Sequence, residues 1–369
     1  LFQKPGFCEK PGFSTPDDYT PGNDKGANLT FARMWVKKRK QTKTEKQKES
    51  MNMQTIRIGA SGVEAPALGV GTWAWGDKLT WQYGRSHSKE DVVAAFHASL
   101  SAGLRLFDTA EVYGTGTSER LLGELVSTVQ TPILIASKFA PLPHRWTAGS
   151  IRRALHGSLR RLQVDCIDLY QVHWYLPTIR IETLMNVLAD AVEEGKIRAI
   201  GVSNYRESRM RLAHEVLAKR GLALASNQVE YHLLNRECEH NGVLQACQEL
   251  GITLIAYSPL GKGRLTGKYR PGTPVSGARQ RLRTFSSEQL AAAMPTVDLL
   301  TEIGAAHGKT AGQVALNWLV RHSGVLPIPG AKNARQATEN AGALGWEMTA
   351  EEADALDRVS IPARSRNDS

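Results

Sequence analysis

Cysteine is scarce, and the four present, Cys8, Cys166, Cys238 and Cys247, share no spacing that suits a metal or a disulfide framework. That pattern predicts free thiols, a reducing compartment and no structural metal. No apolar run approaches the roughly 18 residues that cross a bilayer, and no charged-then-apolar leader opens the chain. No membrane association is expected, and the Asn28-Leu29-Thr30 sequon is expected to stay idle. Nucleotide fingerprints are missing too. "GTGTSE" (114–119) starts like a dinucleotide loop but ends in Glu119, and "GKGRLTGK" (261–268) puts Lys262 where a Walker loop needs glycine and Tyr269 where it needs serine or threonine.

The formal charge of +10 is smaller than it looks as a nucleic-acid signal, because residues 1–50 hold eleven Lys/Arg against six Asp/Glu and so carry half of it. They include the run Lys37-Lys38-Arg39-Lys40, are rich in proline and glycine, and have too little periodic apolar content to order themselves. We read 1–53 as a disordered basic extension and 363–369 as a disordered tail. The first segment is read as a solvated tail or part of an incomplete precursor, and a nuclear or nucleic-acid-binding tract and an organelle-targeting extension are the alternatives, although Lys and acids are abundant for a transit peptide. The first residue is Leu1, and Met51 and Met53 are candidate starts. The expected location is cytoplasmic, or plastid if 1–50 is a targeting extension.

The remaining chain can bury a large core, with 41% hydrophobic content over 369 residues. From Ile56 onward short apolar runs alternate with amphipathic stretches, as parallel strands alternate with crossover helices. Eight strands are predicted, at 66–71, 104–109, 132–138, 166–173, 197–203, 224–229, 252–258 and 325–330. Helices are predicted at 89–102, 117–127, 148–162, 181–195, 206–220, 239–250, 333–343 and, as two, across 287–322. Eight units in this span predict an α/β fold of the (β/α)8 TIM barrel type over 54–362. "IRIGASGVEAPALG" reads as an N-terminal β-hairpin plug, and "TAEEADALDRV" as an extra C-terminal helix capped by Thr349.

Chemistry in such a barrel sits at the C-terminal strand ends, and polar residues gather there: Asp108, Lys138, His173, Ser203 with Asn204, Gln228, and Tyr257 with Ser258. These residues stand in motifs. "GLRLFDTAEVYGTGTSERLLG" (103–123), "VDCIDLYQVHW" (164–174) with "GKIRAIGVSNY" (195–205), and "PIPGAKNARQATEN" (327–340), with "ASKF" and "SNQVEY" between, resemble the aldo-keto reductase family from about Ile56 to Val359. "IPGAK" resembles the branch of prokaryotic and plastid-type reductases and potassium-channel β subunits.

The resemblance implies an NADP-dependent oxidoreductase with NADPH/NADP+ as cofactor and a small carbonyl compound as substrate. It makes Tyr113 the proton donor, Lys138 the residue that tunes it, Asp108 the partner that holds Lys138, and His173 the group that orients the carbonyl. Physical chemistry agrees, since a phenol of ordinary pKa about 10 donates poorly until a nearby cation stabilises its anion. The resemblance further implies Ser203, Asn204 and Gln228 at the nicotinamide carboxamide, Tyr257 stacked on the ring, and Ser258, Leu260, Gly261 and Arg264 in a strap over the pyrophosphate. Gly330, Lys332 and Arg335, at a helix start, suit a 2′-phosphate, and Gln336, Glu339 and Asn340 resemble adenine-side contacts. The family often has a basic residue where Gln336 stands. Trp73, Trp75, Trp81, Tyr83, Phe139, Trp174 and Tyr175 are the candidates for an aromatic substrate mouth. No nucleic acid partner is expected, and a monomer or weak oligomer is. The competing readings are a slow-turnover NADP-binding regulatory subunit and a nucleic-acid-associated protein that relies on residues 37–48.

Overall fold

The computed structural model describes residues 54–145, 147–275 and 277–360. The predicted extension and tail, with Cys8 and the Asn28 sequon, lie outside them. Strand β1 (Thr55–Arg57) pairs antiparallel with β2 (Glu64–Pro66). Eight parallel strands follow, each bonded to the next: β3 (Val70–Gly71), β4 (Leu106–Asp108), β5 (Leu134–Phe139), β6 (Ile167–Val172), β7 (Ile197–Ser203), β8 (Leu224–Glu230), β9 (Thr253–Tyr257) and β10 (Val325–Pro327).

Helices alternate with them: α1 (Lys89–Ser101), α2 (Thr117–Val126), α3 (Ala148–Leu162), α4 (Ile181–Glu193), α5 (Glu207–Ala218), α6 (Glu237–His240), α7 (Val243–Leu250), α8 (Ser287–His307), α9 (Ala311–Val320), α10 (Ala334–Ala341) and α11 (Ala350–Ser360). Local chemistry explains the breaks. The stretch read as two helices divides at Gly308, which is left-handed, and restarts at Thr310, whose side chain accepts from Gln313 N while Gln313 caps it in return. The helix expected at 239–250 is instead two, α6 and α7, parted by a left-handed Gly242. α11 begins at the Thr349 cap, where Thr349 Oγ1 accepts from Glu352 N at 3.2 Å.

The sheet closes on itself. Gly71 bridges Gly330, and the Gly69 and Gly71 N–H groups donate to the Pro327 carbonyl at the end of β10 and to the Pro329 carbonyl just beyond it, each at 3.0 Å. The two prolines have no N–H to return these bonds, so the seam is joined in one direction. A Cβ on Gly71 would lie 2.9 Å from the Ile328 carbonyl oxygen, so only glycine lets the strands meet. The first predicted strand shrinks accordingly: Pro66 belongs to the hairpin and only Val70–Gly71 to the barrel.

Inside the barrel the layers differ by height. The lower layer is apolar, with Leu106, Ala136, Leu169, Ala199, Ala225, Ile255 and Leu326 packed on Ile58, Val63 and Ala65 of the hairpin. The hairpin plugs that end, with Gly59 N donating to Thr253 Oγ1 at 2.9 Å. The next layer up holds Asp108, Lys138, Gln171 and Gln228, all buried. A hollow of about 620 Å³ near Ser61, Cys166 and Arg198 lies away from every predicted site residue. No described helix is long and apolar enough to cross a membrane.

Candidate active site

A cavity of about 560 Å³ opens at the C-terminal strand ends and runs from Tyr113 and His173 to Lys332 and Asn340. Beneath its inner end, Lys138 is completely buried. Its ammonium donates to Asp108 Oδ1, to the Thr109 carbonyl at 2.8 Å and to the Tyr113 hydroxyl oxygen at 3.3 Å. An ammonium has three hydrogens, so all are used. Because the phenol oxygen accepts one of them, its own hydrogen is left to point elsewhere. Asp108 Oδ2 is in turn held by Gln228 Nε2 at 2.9 Å and Gln171 Nε2 at 3.1 Å.

The turn that presents Tyr113 is a short 3-10 segment, Tyr113–Gly116. Gly114 there has φ +53°, and a Cβ on it would meet the Gly76 carbonyl oxygen at 2.5 Å, so the two active-site loops touch backbone to backbone. Burial raises the Tyr113 pKa and the Lys138 ammonium only partly offsets it, so the group is a protonated phenol. For Lys138 itself burial pulls downward, but Asp108 and Tyr113 outweigh it and the pKa ends above the ordinary value. His173 lies 5.6 Å from the Tyr113 ring, centroid to centroid. Burial and the Lys138 charge push its pKa down to about 3, so it is a neutral imidazole.

Above these groups lies an aromatic wall. Trp73 stacks on Tyr113 with centroids 6.1 Å apart, Trp81 meets Trp73 edge-on at 5.4 Å, and Trp174 lies 4.6 Å from His173. On the opposite side, Tyr257 donates to Asn204 Oδ1 at 3.1 Å, Asn204 Nδ2 to Ser203 Oγ at 3.1 Å, and Ser203 Oγ to the Gln228 carbonyl at 2.9 Å. Asn204 and Ser258 both adopt left-handed backbone, φ +58° and +50°, at the exits of β7 and β9.

The outer end is cationic. Lys262, Lys268, Arg279, Lys332 and Arg335 line it, with Gln336, Glu339 and Asn340 from α10. Asn333 caps that helix by accepting from Gln336 N, and the Gln336 side chain accepts from the Lys332 backbone N–H at 2.8 Å. Burial, then the nearby Arg279 charge, lowers the Lys332 pKa to about 8. A helix start and this cation set are suited to a multiply charged phosphate ligand.

The structure thus brings Asp108, Tyr113, Lys138 and His173 together, and gathers Ser203, Asn204, Gln228, Tyr257, Ser258, Leu260, Gly330, Lys332, Arg335, Gln336, Glu339 and Asn340 along the same cavity. Four expectations for the mouth need correction. Trp75 is fully buried and its indole N–H donates to the Ala331 carbonyl at 2.8 Å, so it fastens the loop after β3 to that after β10. Phe139 is fully buried in the outer core, because it follows inward Lys138 on a strand and must face the helices. Tyr83 packs on His87, and Tyr175 lies under the Arg209 guanidinium at 4.0 Å, both outside the cavity lining. In the strap, Gly261 and Arg264 are buried beneath the lining rather than in it, with Arg264 Nε donating to the Gly261 carbonyl at 3.3 Å. Lys262 and Lys268, basic residues of the expected strap, do line the cavity, and the unforeseen members are Gln171, which shares the inward parity of Leu169, and Arg279, whose loop carries no periodic signal.

The Aldo/keto reductase family model matches residues 67–361. The chain is 40% identical over 313 residues to pyridoxal reductase, chloroplastic, from Arabidopsis thaliana, covering 81% of this chain and 84% of that one. Among solved structures, glycerol dehydrogenase from Gluconobacter oxydans matches with a TM-score of 0.73 at 28% identity, covering 83% of this chain and 94% of that one. An aldo/keto reductase from Klebsiella pneumoniae, in complex with NADP and acetate, matches with a TM-score of 0.65 at 31% identity, covering 84% and 97%.

Proposed function

The chain belongs to the aldo/keto reductase family, and from that membership we propose that it reduces aldehydes and ketones to alcohols with NADPH, with Tyr113 as proton donor. The observation that carries this reading is the full engagement of Lys138: its hydrogens are spent on Asp108, Thr109 and the Tyr113 oxygen, which leaves the phenol hydrogen for the substrate. The residues present fit NADPH, for five cations and the start of α10 stand at one end of the cavity and a hydrogen-bonding trio at the other. Bound there, NADPH supplies the hydride that the carbonyl carbon takes up.

The chain's own residues do the rest. Tyr113 gives its proton to the carbonyl oxygen, and as the phenolate forms, the Lys138 ammonium 3.3 Å away stabilises it. Asp108 keeps Lys138 charged, and the two glutamine amides keep Asp108 in place. His173, being neutral, donates a hydrogen bond that orients the carbonyl without competing as the acid. Ser203, Asn204 and Gln228 would hold the carboxamide and Tyr257 would back the ring, while Ser258 and Leu260 would cover the pyrophosphate. Lys332 and Arg335 would take the 2′-phosphate, with Gln336, Glu339 and Asn340 on the adenine side.

Trp73, Trp81 and Trp174 favour a flat ring on the substrate. The pyridoxal in the name of the Arabidopsis relative is such an aldehyde, and it heads the panel to be assayed. NADPH oxidation is followed with pyridoxal and other aromatic aldehydes for the wild type and Tyr113→Phe. Turnover that falls by about 10²–10⁴-fold in the variant, with NADPH binding retained, supports the reading. NADPH binding without turnover of any carbonyl would overturn it in favour of a binding subunit.

A further inference from the structure

Trp81 stands between the two ends of the cavity. On one side the Lys332 ammonium lies 4.8 Å from its ring centroid and donates to the Trp81 carbonyl at 3.2 Å and to Ser86 Oγ at 3.5 Å. On another the Arg279 guanidinium lies 4.9 Å from the ring, while Arg279 Nε donates to the Lys262 carbonyl at 2.9 Å. The same indole meets Trp73 edge-on at 5.4 Å, and Trp73 stacks on Tyr113. The Trp81 indole N–H is buried with no acceptor among the described residues. One side chain therefore touches two of the five cations of the outer end and the aromatic wall of the inner end.

Its loop is folded mainly on itself, with Tyr83 N donating to the Asp77 carbonyl at 2.9 Å and Ser86 N to the Gln82 carbonyl at 2.8 Å. Gln82 is left-handed at φ +56°, and Leu79, three positions before it, is 92% exposed. The Trp81 carbonyl accepts from Ser86 Oγ at 2.7 Å and from Lys332, which also donates to that Ser86 oxygen, and Lys332 is a half-buried ammonium with no carboxylate within salt-bridge distance among the described residues. An anion that engages Lys332 or Arg279 competes for the hydrogens that hold the loop and changes the charge on two sides of the indole.

We propose that Trp81 is a specificity-determining residue that couples the ends: a phosphate monoester taken at Lys332, beside Arg279, resets the Trp81 loop and, through Trp73, the surface on which an aromatic substrate lies beside Tyr113. The proposal rests on the NADPH reading in one respect, that a phosphate is taken at Lys332. Coupling of this kind is reciprocal, so the aromatic ligand tightens the hold on the phosphate by the same factor.

The test separates phosphate from nicotinamide. Binding of 4-nitrobenzyl alcohol, an unreactive aromatic product, is measured by calorimetry on the full chain alone and with saturating adenosine 2′-phosphate, which carries no nicotinamide. Wild-type affinity is expected to rise by about fivefold or more, and adenosine 5′-phosphate to have no such effect. Trp81→Leu and Lys332→Met abolish the gain, and Trp81→Phe, which keeps a ring, retains part of it. The proposal is overturned if adenosine 2′-phosphate does not bind, if it leaves the alcohol affinity unchanged in the wild type, or if Trp81→Leu keeps the full factor. The reductase reading fails by a different result, the lack of NADPH oxidation with any carbonyl compound.

Discussion

At the Tyr113 end of the cavity each buried charge meets its partner within the fold, whereas at the Lys332 end Lys268, Arg279 and Lys332 have no carboxylate within salt-bridge distance among the described residues. The same barrel rim builds both. The inner end draws its charges from strand termini, where Asp108, Lys138, Gln171 and Gln228 face one another across the barrel. The outer end draws its cations from loops and one helix start, where negative charge is in deficit. A rigid, internally satisfied group suits a proton transfer that tolerates little misplacement. A deficit of negative charge suits capture of an anion that arrives from solution.

The comparison is broken most severely by Lys138→Met. Removing the ammonium leaves Asp108 buried and unpaired, which costs about 3–5 kcal/mol, so thermal unfolding shifts well downward and NADPH-dependent turnover is lost. The matching change at the other end, Lys332→Met, removes charge without stranding a partner. It is expected to weaken NADPH binding by about 10–100-fold, equivalent to about 1.5–3 kcal/mol for a hydrogen bond to a charged group, with a much smaller effect on NADH and little change in melting temperature. Equal losses for the two cofactors would place no phosphate at Lys332.

Acid and base titrations sharpen the contrast further. Lys332, with a pKa of about 8, loses its charge as pH rises through that value, so NADPH affinity falls above pH 8 and the fall disappears in Lys332→Met. His173 behaves oppositely. Its folded pKa of about 3 lies below the ordinary 6.5, so its contribution to stability is complete above 6.5 and drains away as pH falls toward 3. Melting temperatures measured from pH 7 to pH 4 should fall less steeply for His173→Gln than for the wild type. The smallest effect is expected away from both ends: Thr349→Ala removes the cap of α11 and costs about 1 kcal/mol, with unchanged kinetics.

The Tyr113 end is the more legible of the two. Apolar runs located all eight strands, and strand ends are where a barrel exposes side chains, so Asp108, Lys138 and His173 followed from position alone. Parity along the strand separates the rest: Lys138 inward requires Phe139 outward, and Leu169 inward makes Gln171 inward too. Trp75 misled for a different reason. A tryptophan two residues from a cavity-lining Trp73 reads as more mouth, yet its N–H found an acceptor in Ala331, far along the chain, and the ring went into the core. The cation end was hidden by the same non-locality. Nothing in the neighbourhood of Arg279 or Trp81 announces that they meet each other and Lys332, because loops carry no period and their packing is decided by tertiary contacts.

The one-way seam between β3 and β10 also orders events during synthesis. Gly71 and Gly330 stand near opposite ends of the described chain, and the residues beside them, Thr72 and Trp73 on one side and Ile328 and Lys332 on the other, both line the cavity. A ribosome must therefore release nearly the whole barrel before the first and last strands can join, a closure of high contact order and late timing. Until then the nascent chain has neither a cavity wall at Trp73 nor a cation at Lys332, and nucleotide cannot act on it as a folding template from the start.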